Sequence, residues 1–286
     1  MLLLAKRCTL CKRILIVVFS FFLTSAAAFA DDETPQKEEA AAYVDAPDGI
    51  FFVGEELTYE VSYSIFTLGT IKIQVLDKTV KNGRPIYCTK AFIDSHTKIP
   101  FVNVHYVFYS EDDTDLYSHF FSGMDTKDPN STYYSDYDFR YDLDRVFYRT
   151  GVRQTQKVDK RGEDTLFMPT EDGLSLFYYA RGHVHQQSIA DVPTYVDEKL
   201  VNTHINFLNK KSAVTIDAVK YPVRTVELDG HADFVGIFGM TGAFHGWFSD
   251  DAAAIPIVAT MKVILGSVHI ELIKWNRPGW NPPSAK

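Results

Sequence analysis

Leu57-Thr58-Tyr59-Glu60-Val61-Ser62-Tyr63 sets a large apolar or aromatic residue at every second position and a polar one between. Successive side chains of a strand point to opposite faces, so a period of two marks a strand with one face buried and one solvated. The pattern recurs at Ile71-Lys-Ile-Gln-Val75. It recurs again at Asp136-Tyr-Asp-Phe-Arg-Tyr-Asp-Leu-Asp144, where acids and Arg140 take the even positions and Tyr137, Phe139, Tyr141 and Leu143 the odd ones. Asn82-Gly83 is a strong hairpin signal, because a type I′ turn needs positive φ at both central residues. Strands are therefore expected at about 70–80 and 85–94, and Leu68-Gly69-Thr70 reads as a turn or bulge.

Working outward, strands are expected over 102–110, 116–123 and 133–148, the last with a hairpin bend near Asp142 to Arg145. Others follow near 194–201, 204–208, 213–219, 223–228, 243–248, 257–265 and 267–275. One helix is expected near 171–181, with Thr170 as cap, Glu171 and Asp172 in its first turn, Arg181 in its last and Gly182 ending it. Many short strands with regular turn signals predict an all-β, mainly antiparallel fold: a large curved barrel-like or sandwich structure with one short helix. Abundant Phe and Tyr, 21 and 16 residues, suit strands.

The first thirty residues read differently. Lys6, Arg7, Lys12 and Arg13 precede the apolar run Ile14 to Leu23, and Ala28-Phe29-Ala30 precedes Asp31. That order is a secretory signal peptide with cleavage after Ala30, and its apolar run is shorter than the roughly 20 residues of a spanning helix. The expected organisation is a signal at 1–30, a flexible acidic leader at 31–49, a single β domain at 50–276 and an extended tail at 277–286. The expected location is the periplasm, with no membrane span after cleavage. Removing the signal's four basic residues from the total of 29 leaves 25 against 37 acids, a net charge of −12. Phosphate neutralisation needs clustered Lys and Arg, so this balance argues against nucleic acid. Cys8 and Cys11 leave with the signal, so Cys88 alone remains and the domain must be held by its core.

The order of landmarks resembles a known family. Val53-Gly54-Glu55-x-Leu57-x-Tyr59-x-Val61-Ser62-Tyr63 is followed by Leu68-Gly69-Thr70, then by Tyr178-Tyr179-Ala180-Arg181 in mid-chain. The end reads Trp247-Phe248-Ser249-Asp250-Asp251, Ile255-Pro256-Ile257 and Leu265-Gly266-Ser267-Val268-x-Ile270-Glu271-Leu272. This is similar to the domain of unknown function 3108 family of exported bacterial envelope proteins, over nearly all of residues 50 to 275. The resemblance implies a large, curved, antiparallel barrel-like fold and carries over no catalytic residues. Members often hold basic residues between the Ser-Asp-Asp turn and the Pro; here Ala252 to Ala254 stand instead, against a charge-based role for that turn.

Chemical constellations are sparse. His183-x-His185 is a weak metal candidate, set beside the plain reading of histidines suiting a helix C-terminus. The four aspartates at 136, 138, 142 and 144 lack the Gly-turned loop of a calcium site and read as a solvated strand face. Asp250-Asp251 is a candidate carboxylate pair, but adjacent strand residues face opposite ways, so a turn is the better reading. Neither a nucleophile elbow nor a phosphate loop is present, so no catalytic residue and no cofactor is assigned. The remaining signal is the segment Gly230 to Gly242, with four glycines and the apolar residues Phe234, Val235, Ile237, Phe238 and Met240. It reads either as a greasy loop contacting a ligand or partner, or as a bulged strand folding inward. The functional expectation is a non-catalytic binding or carrier module for an apolar or lipid-like molecule. The alternatives are a structural or assembly partner of another envelope protein and, more weakly, an envelope hydrolase.

Overall fold

A computed structural model describes residues 49–96, 103–235, 241–263 and 266–286. The expected signal at 1–30 and nearly all of the expected leader at 31–49 lie outside these. The described residues form one 14-stranded antiparallel sheet and one helix. The first half is a meander of β1 (Glu56–Tyr63), β2 (Phe66–Lys81), β3 (Arg84–Ser95), β4 (His105–Asp113), β5 (Ser118–Asp125), β6 (Tyr133–Arg140), β7 (Arg145–Val152) and β8 (Lys157–Thr165). Helix α1 (Ser175–His183) follows. The second half comprises β9 (Ser188–Val196), β10 (Lys199–Val214), β11 (Val223–Val235), β12 (Thr241–Ser249), β13 (Pro256–Lys262) and β14 (Ser267–Asn276).

The spatial order is β8-β7-β6-β5-β4-β3-β2-β1-β14-β13-β12-β11-β10-β9. The two meanders are joined by the pairing of β1 with β14, Glu56 opposite Asn276 and Ser62 opposite His269. The edges are β8 and β9. The sheet curves until side chains bridge this seam: the Tyr195 hydroxyl donates to Asp164, and Lys160 Nζ meets Glu198 at 3.1 Å. Glu171 covers part of the β9 edge, donating its N–H to the Pro193 carbonyl and accepting the Tyr195 N–H.

Alternation produces the expected core. Leu57, Tyr59 and Val61 of β1 are buried, as are Tyr137 and Phe139 of β6, while Asp138 and Arg140 face outward. Asn82 and Gly83 both take positive φ, as their turn requires. Leu68 to Thr70 is a bulge: Val61 pairs with Gly69 but Ser62 with Thr67.

Four readings change. Strand β8 escaped the periodicity because Lys157–Thr165 carries charge on both faces and is held by backbone pairing to β7. Helix α1 begins at Ser175, because the Asp172 carboxylate takes the Leu174 and Ser175 N–H groups in a turn ahead of it, and it runs through the buried Gly182 to His183. The strands expected at 194–201, 204–208 and 213–219 are two longer ones, turning at Asp197-Glu198 with both φ positive. Strand β10 continues past a register shift between Phe207 and Lys210 and ends at Val214, leaving Ile216 buried in the following connection. Finally, Gly230 to Val235 belongs to β11, bulged between Ala232 and Val235. The greasy connection is therefore shorter than read. Residues 277–286 also pack back, with Arg224 N–H donating to the Pro283 carbonyl and Ala285 N–H to Pro222.

Candidate functional site

Strand directions decide which connections share an end. Ser62 of β1 lies opposite His269 of β14, Lys262 of β13 opposite Ser267 of β14, and Thr241 of β12 opposite Val235 of β11. The β1–β2, β13–β14 and β11–β12 connections thus line one rim of the sheet. At a strand spacing of about 4.8 Å, the first and last stand roughly 20 Å apart. The β1–β2 turn is Ser64-Ile65, with Ser64 at positive φ. Ile65 is 87% exposed and Phe66 59% exposed. Of the apolar residues expected at the greasy connection, Phe234 is half-buried on β11, and Val235 ends that strand. Ile237, Phe238 and Met240 lie outside the described residues. Sequence reading missed Ile65 and Phe66 because it named only Leu68-Gly69-Thr70, as a turn or bulge; that segment is the bulge, and the turn lies four residues before it at Ser64-Ile65. The signal was the apolar Ile65-Phe66 pair interrupting the β alternation.

The interior, where a carrier would hold its cargo, is occupied by α1. Phe51 stacks on Tyr87 and on Tyr178, and Phe177 meets Tyr59 edge-on. Arg181 is fully buried, its guanidinium bonded to Glu55 at 2.6 and 3.1 Å and to the Ala253 carbonyl at 3.0 Å. Arg277 also reaches Glu55 and donates to the Gly49 carbonyl at 2.6 Å. One carboxylate thus ties the helix to the chain's entry and exit from the sheet. A buried charge is tolerated only when so paired. Burial raises the Tyr59 and Tyr178 hydroxyls far above the ordinary tyrosine range.

Ahead of α1 lies a buried acidic network. Asp172 accepts the Leu174 and Ser175 N–H groups at 2.6 and 2.9 Å and the Ser118 hydroxyl at 2.7 Å. The Ser110 hydroxyl stands 2.5 Å from Asp172 and 2.7 Å from Asp112. A hydroxyl donates once, so one of these carboxyls must give Ser110 a proton. Burial raises both carboxyls; the helix N–H groups and serine hydroxyls offset that at Asp172, whereas at Asp112 the Asp172 charge adds to it, so Asp112 is the better proton holder of the two. Glu171 is raised by burial and then by Asp112 and Asp172, and its oxygens have no hydrogen-bond partner among the described residues. This network anchors the helix and has no solvent-facing member at Asp112, Glu171 or Asp172.

The other candidates are absorbed by local structure. His183 Nδ1 bonds the Tyr179 carbonyl at 2.8 Å and its ring stacks on Tyr179; burial lowers its pKa. His185 Nε2 lies 2.9 Å from the Asp251 carbonyl, so the two imidazoles serve different partners. Asp250 faces Lys211 and Arg224, whereas Asp251 accepts the Ala253 and Ala254 N–H groups and the Trp280 indole, as a turn residue does. Asp136 is buried against Arg149 and Arg153. Cys88 is buried, its thiol pushed up to about 11 by burial, which makes it a poor nucleophile. An open hollow of about 810 Å³ across β5–β8 mixes Phe120, Phe147 and Tyr148 with Asp138, Arg149 and Arg161. Among the described residues no helix is long and apolar enough to cross a membrane.

No protein-family model matches the chain, and no curated protein matches it. Solved structures of low sequence identity are similar to it, two of which follow. A protein with a YmcC-like fold from Bacteroides fragilis, 7% identical, aligns over 79% of this chain and 97% of its own, but its TM-score of 0.35 is too low to define a shared fold. A beta-barrel-like protein of domain of unknown function 1849 from Brucella abortus aligns over 79% of this chain and 98% of its own, with a TM-score of 0.53 and 12% identity, and with it this chain shares a barrel-like β architecture.

Proposed function

We propose that the chain is a non-catalytic cell-envelope protein that engages an apolar or lipid-like molecule at the rim formed by the β1–β2 and β11–β12 connections. The observation that carries this reading is the exposure of Ile65 and Phe66, adjacent on one tip. Full burial of such a side chain is worth about 1.5–3 kcal/mol, so leaving two in water forgoes stability that contact with an apolar body recovers. The order of basic, apolar and small residues at 1–30 supports export, and the resemblance of the chain's landmarks to the domain of unknown function 3108 family supports an envelope location. The filled interior favours contact at the rim over enclosure. In this reading Phe234, half-buried near the end of β11, borders the same rim.

The test is an Ile65→Ser, Phe66→Ser double variant, assayed by flotation with phosphatidylethanolamine vesicles and by fluorescence of N-phenylnaphthylamine. Both side chains already face solvent, so the melting temperature should stay within about 2 °C. Association should weaken at least about tenfold, the equivalent of 1.4 kcal/mol. Undiminished association with both probes would overturn the proposal.

A further inference from the structure

Strands β9, β10 and β11 bring four titratable side chains into one row on the outer face, with Asp233 two residues from the rim end of β11. His204 of β10 is directly opposite His231 of β11, and Asp191 of β9 is directly opposite His204. Asp233 stands two residues beyond His231, in the β11 bulge, and its carboxylate reaches both imidazoles. The two imidazoles stack with ring centres 4.3 Å apart. One Asp233 oxygen lies 3.3 Å from His204 Nε2 and the other 3.6 Å from His231 Nε2. His204 Nδ1 is engaged by Asp191.

We infer that His204, His231 and Asp233 form a site for a divalent transition-metal ion of the zinc class, with Asp191 orienting His204. Two imidazole nitrogens and a carboxylate oxygen are the donor set such ions select over magnesium or calcium. The candidate ligand atoms all lie within 4.8 Å of one another. Metal–ligand lengths of about 2.0–2.2 Å set neighbouring ligand atoms roughly 3–3.5 Å apart, so modest turns about χ of exposed side chains complete the geometry. A fourth position stays open to water. Asp191 supplies a further feature of metal histidines: a carboxylate that accepts the N–H of the non-ligating nitrogen and so fixes which nitrogen faces the ion. Other histidines differ. His105 meets Asp94, His269 meets Glu271 and His245 meets Glu227, one imidazole to one carboxylate each. Only in the β9–β11 row, among the described residues, do two imidazoles converge on a shared acid with a second acid behind. The row is invisible in sequence, because His204 and His231 are 27 positions apart and meet only through the β10–β11 register.

The experiment titrates the tag-free protein with zinc chloride, by calorimetry against a competing chelator, alongside His204→Ala, His231→Ala and Asp191→Asn. Each side chain is at least partly exposed, so the variants should melt with the parent protein when metal is absent. One equivalent of zinc should bind at micromolar concentration. Either alanine variant should lose at least about 100-fold in affinity, and Asp191→Asn about 10- to 100-fold. Zinc should also raise the melting temperature of the parent and not of His204→Ala. Failure to saturate below 100 µM zinc, chosen as roughly the weakest affinity worth calling a site, would overturn the inference. So would parental affinity in His204→Ala, which would place any bound zinc elsewhere.

Discussion

At the scale of single residues, Asp112 sets a pH dependence opposite to that of most carboxylates. Its folded pKa is raised by burial and by the Asp172 charge, so between the unfolded value of about 3.9 and the folded one the native state binds more protons than the unfolded chain. Stability is then greatest at the acid end of that window and falls as pH rises through it. Glu171 and Asp172, also raised, act in the same direction. Asp112→Asn puts an amide N–H where the acid O–H serves Ser110 and removes the need to bind a proton. Urea unfolding at pH 5 and pH 8 should show the parent losing stability toward pH 8. The variant should lose less, ending at least as stable as the parent, at about 1.4 kcal/mol for each pKa unit no longer maintained. An unchanged pH slope would show that Asp112 is ionised. Little of this was legible in the sequence. Asp172 was visible as a helix-start acid, but its bond to Ser110 spans 62 positions, and only the packed fold supplies the low dielectric that makes it matter.

At the scale of elements, legibility followed the hydrophobic period. Strands β1, β2 and β6 have one face on the core, and their alternation placed them, while the Asn82-Gly83 turn placed β3. Strand β8 has no such face, and the Asp197-Glu198 turn lacks the glycine that marks Asn82-Gly83, so both went unseen. The β1–β2 bulge shows why a glycine was legible but its role was not. A Cβ on Gly69 would stand 2.1 Å from the Asp94 carbonyl oxygen and 2.8 Å from Ser95 Cα. Neither backbone atom can yield without opening the β2–β3 ladder. Gly83 meets nothing within 4 Å, and its only demand is a φ of +79°. Gly69→Ala should therefore cost about 2–3 kcal/mol and Gly83→Ala about 1 kcal/mol, read as denaturant midpoints at constant m-value. Because the bulge aims the Ile65-Phe66 tip, Gly69→Ala should also weaken vesicle association at temperatures where it remains folded. Equal costs for the two variants would mean the ladder accommodates the methyl group.

At the scale of the whole molecule, the strand order bears on how the chain folds. Each meander is built from neighbours in sequence, but the two are joined by β1 against β14, pairing Glu56 with Asn276 across almost the whole domain. That contact closes a long loop before it yields any stabilisation, and such non-local pairing slows folding. Read from β9, the spatial order is β9 to β14 and then β1 to β8, which is sequence order if the chain began after β8. The structure permits that change. Arg277, just past β14, touches Gly49, the linker has only the tail's return along Pro222 and Val223 to span, and Phe167 in the β8–α1 connection is 78% exposed. A circular permutant opened between Phe167 and Met168, with Lys286 joined to Gly49 by a flexible Gly-Ser linker, keeps every ladder and turns the β1–β14 pairing into a local one. Exposed loops tolerate such openings. The helix keeps its distant contacts to Glu55 and Ser110 through Arg181 and Asp172, so the gain is confined to the sheet. Stopped-flow refolding from urea should be faster by at least about tenfold in the permutant, with unfolding rates changed much less. Equal refolding rates would locate the slow step in docking α1 inside the sheet rather than in joining its two halves.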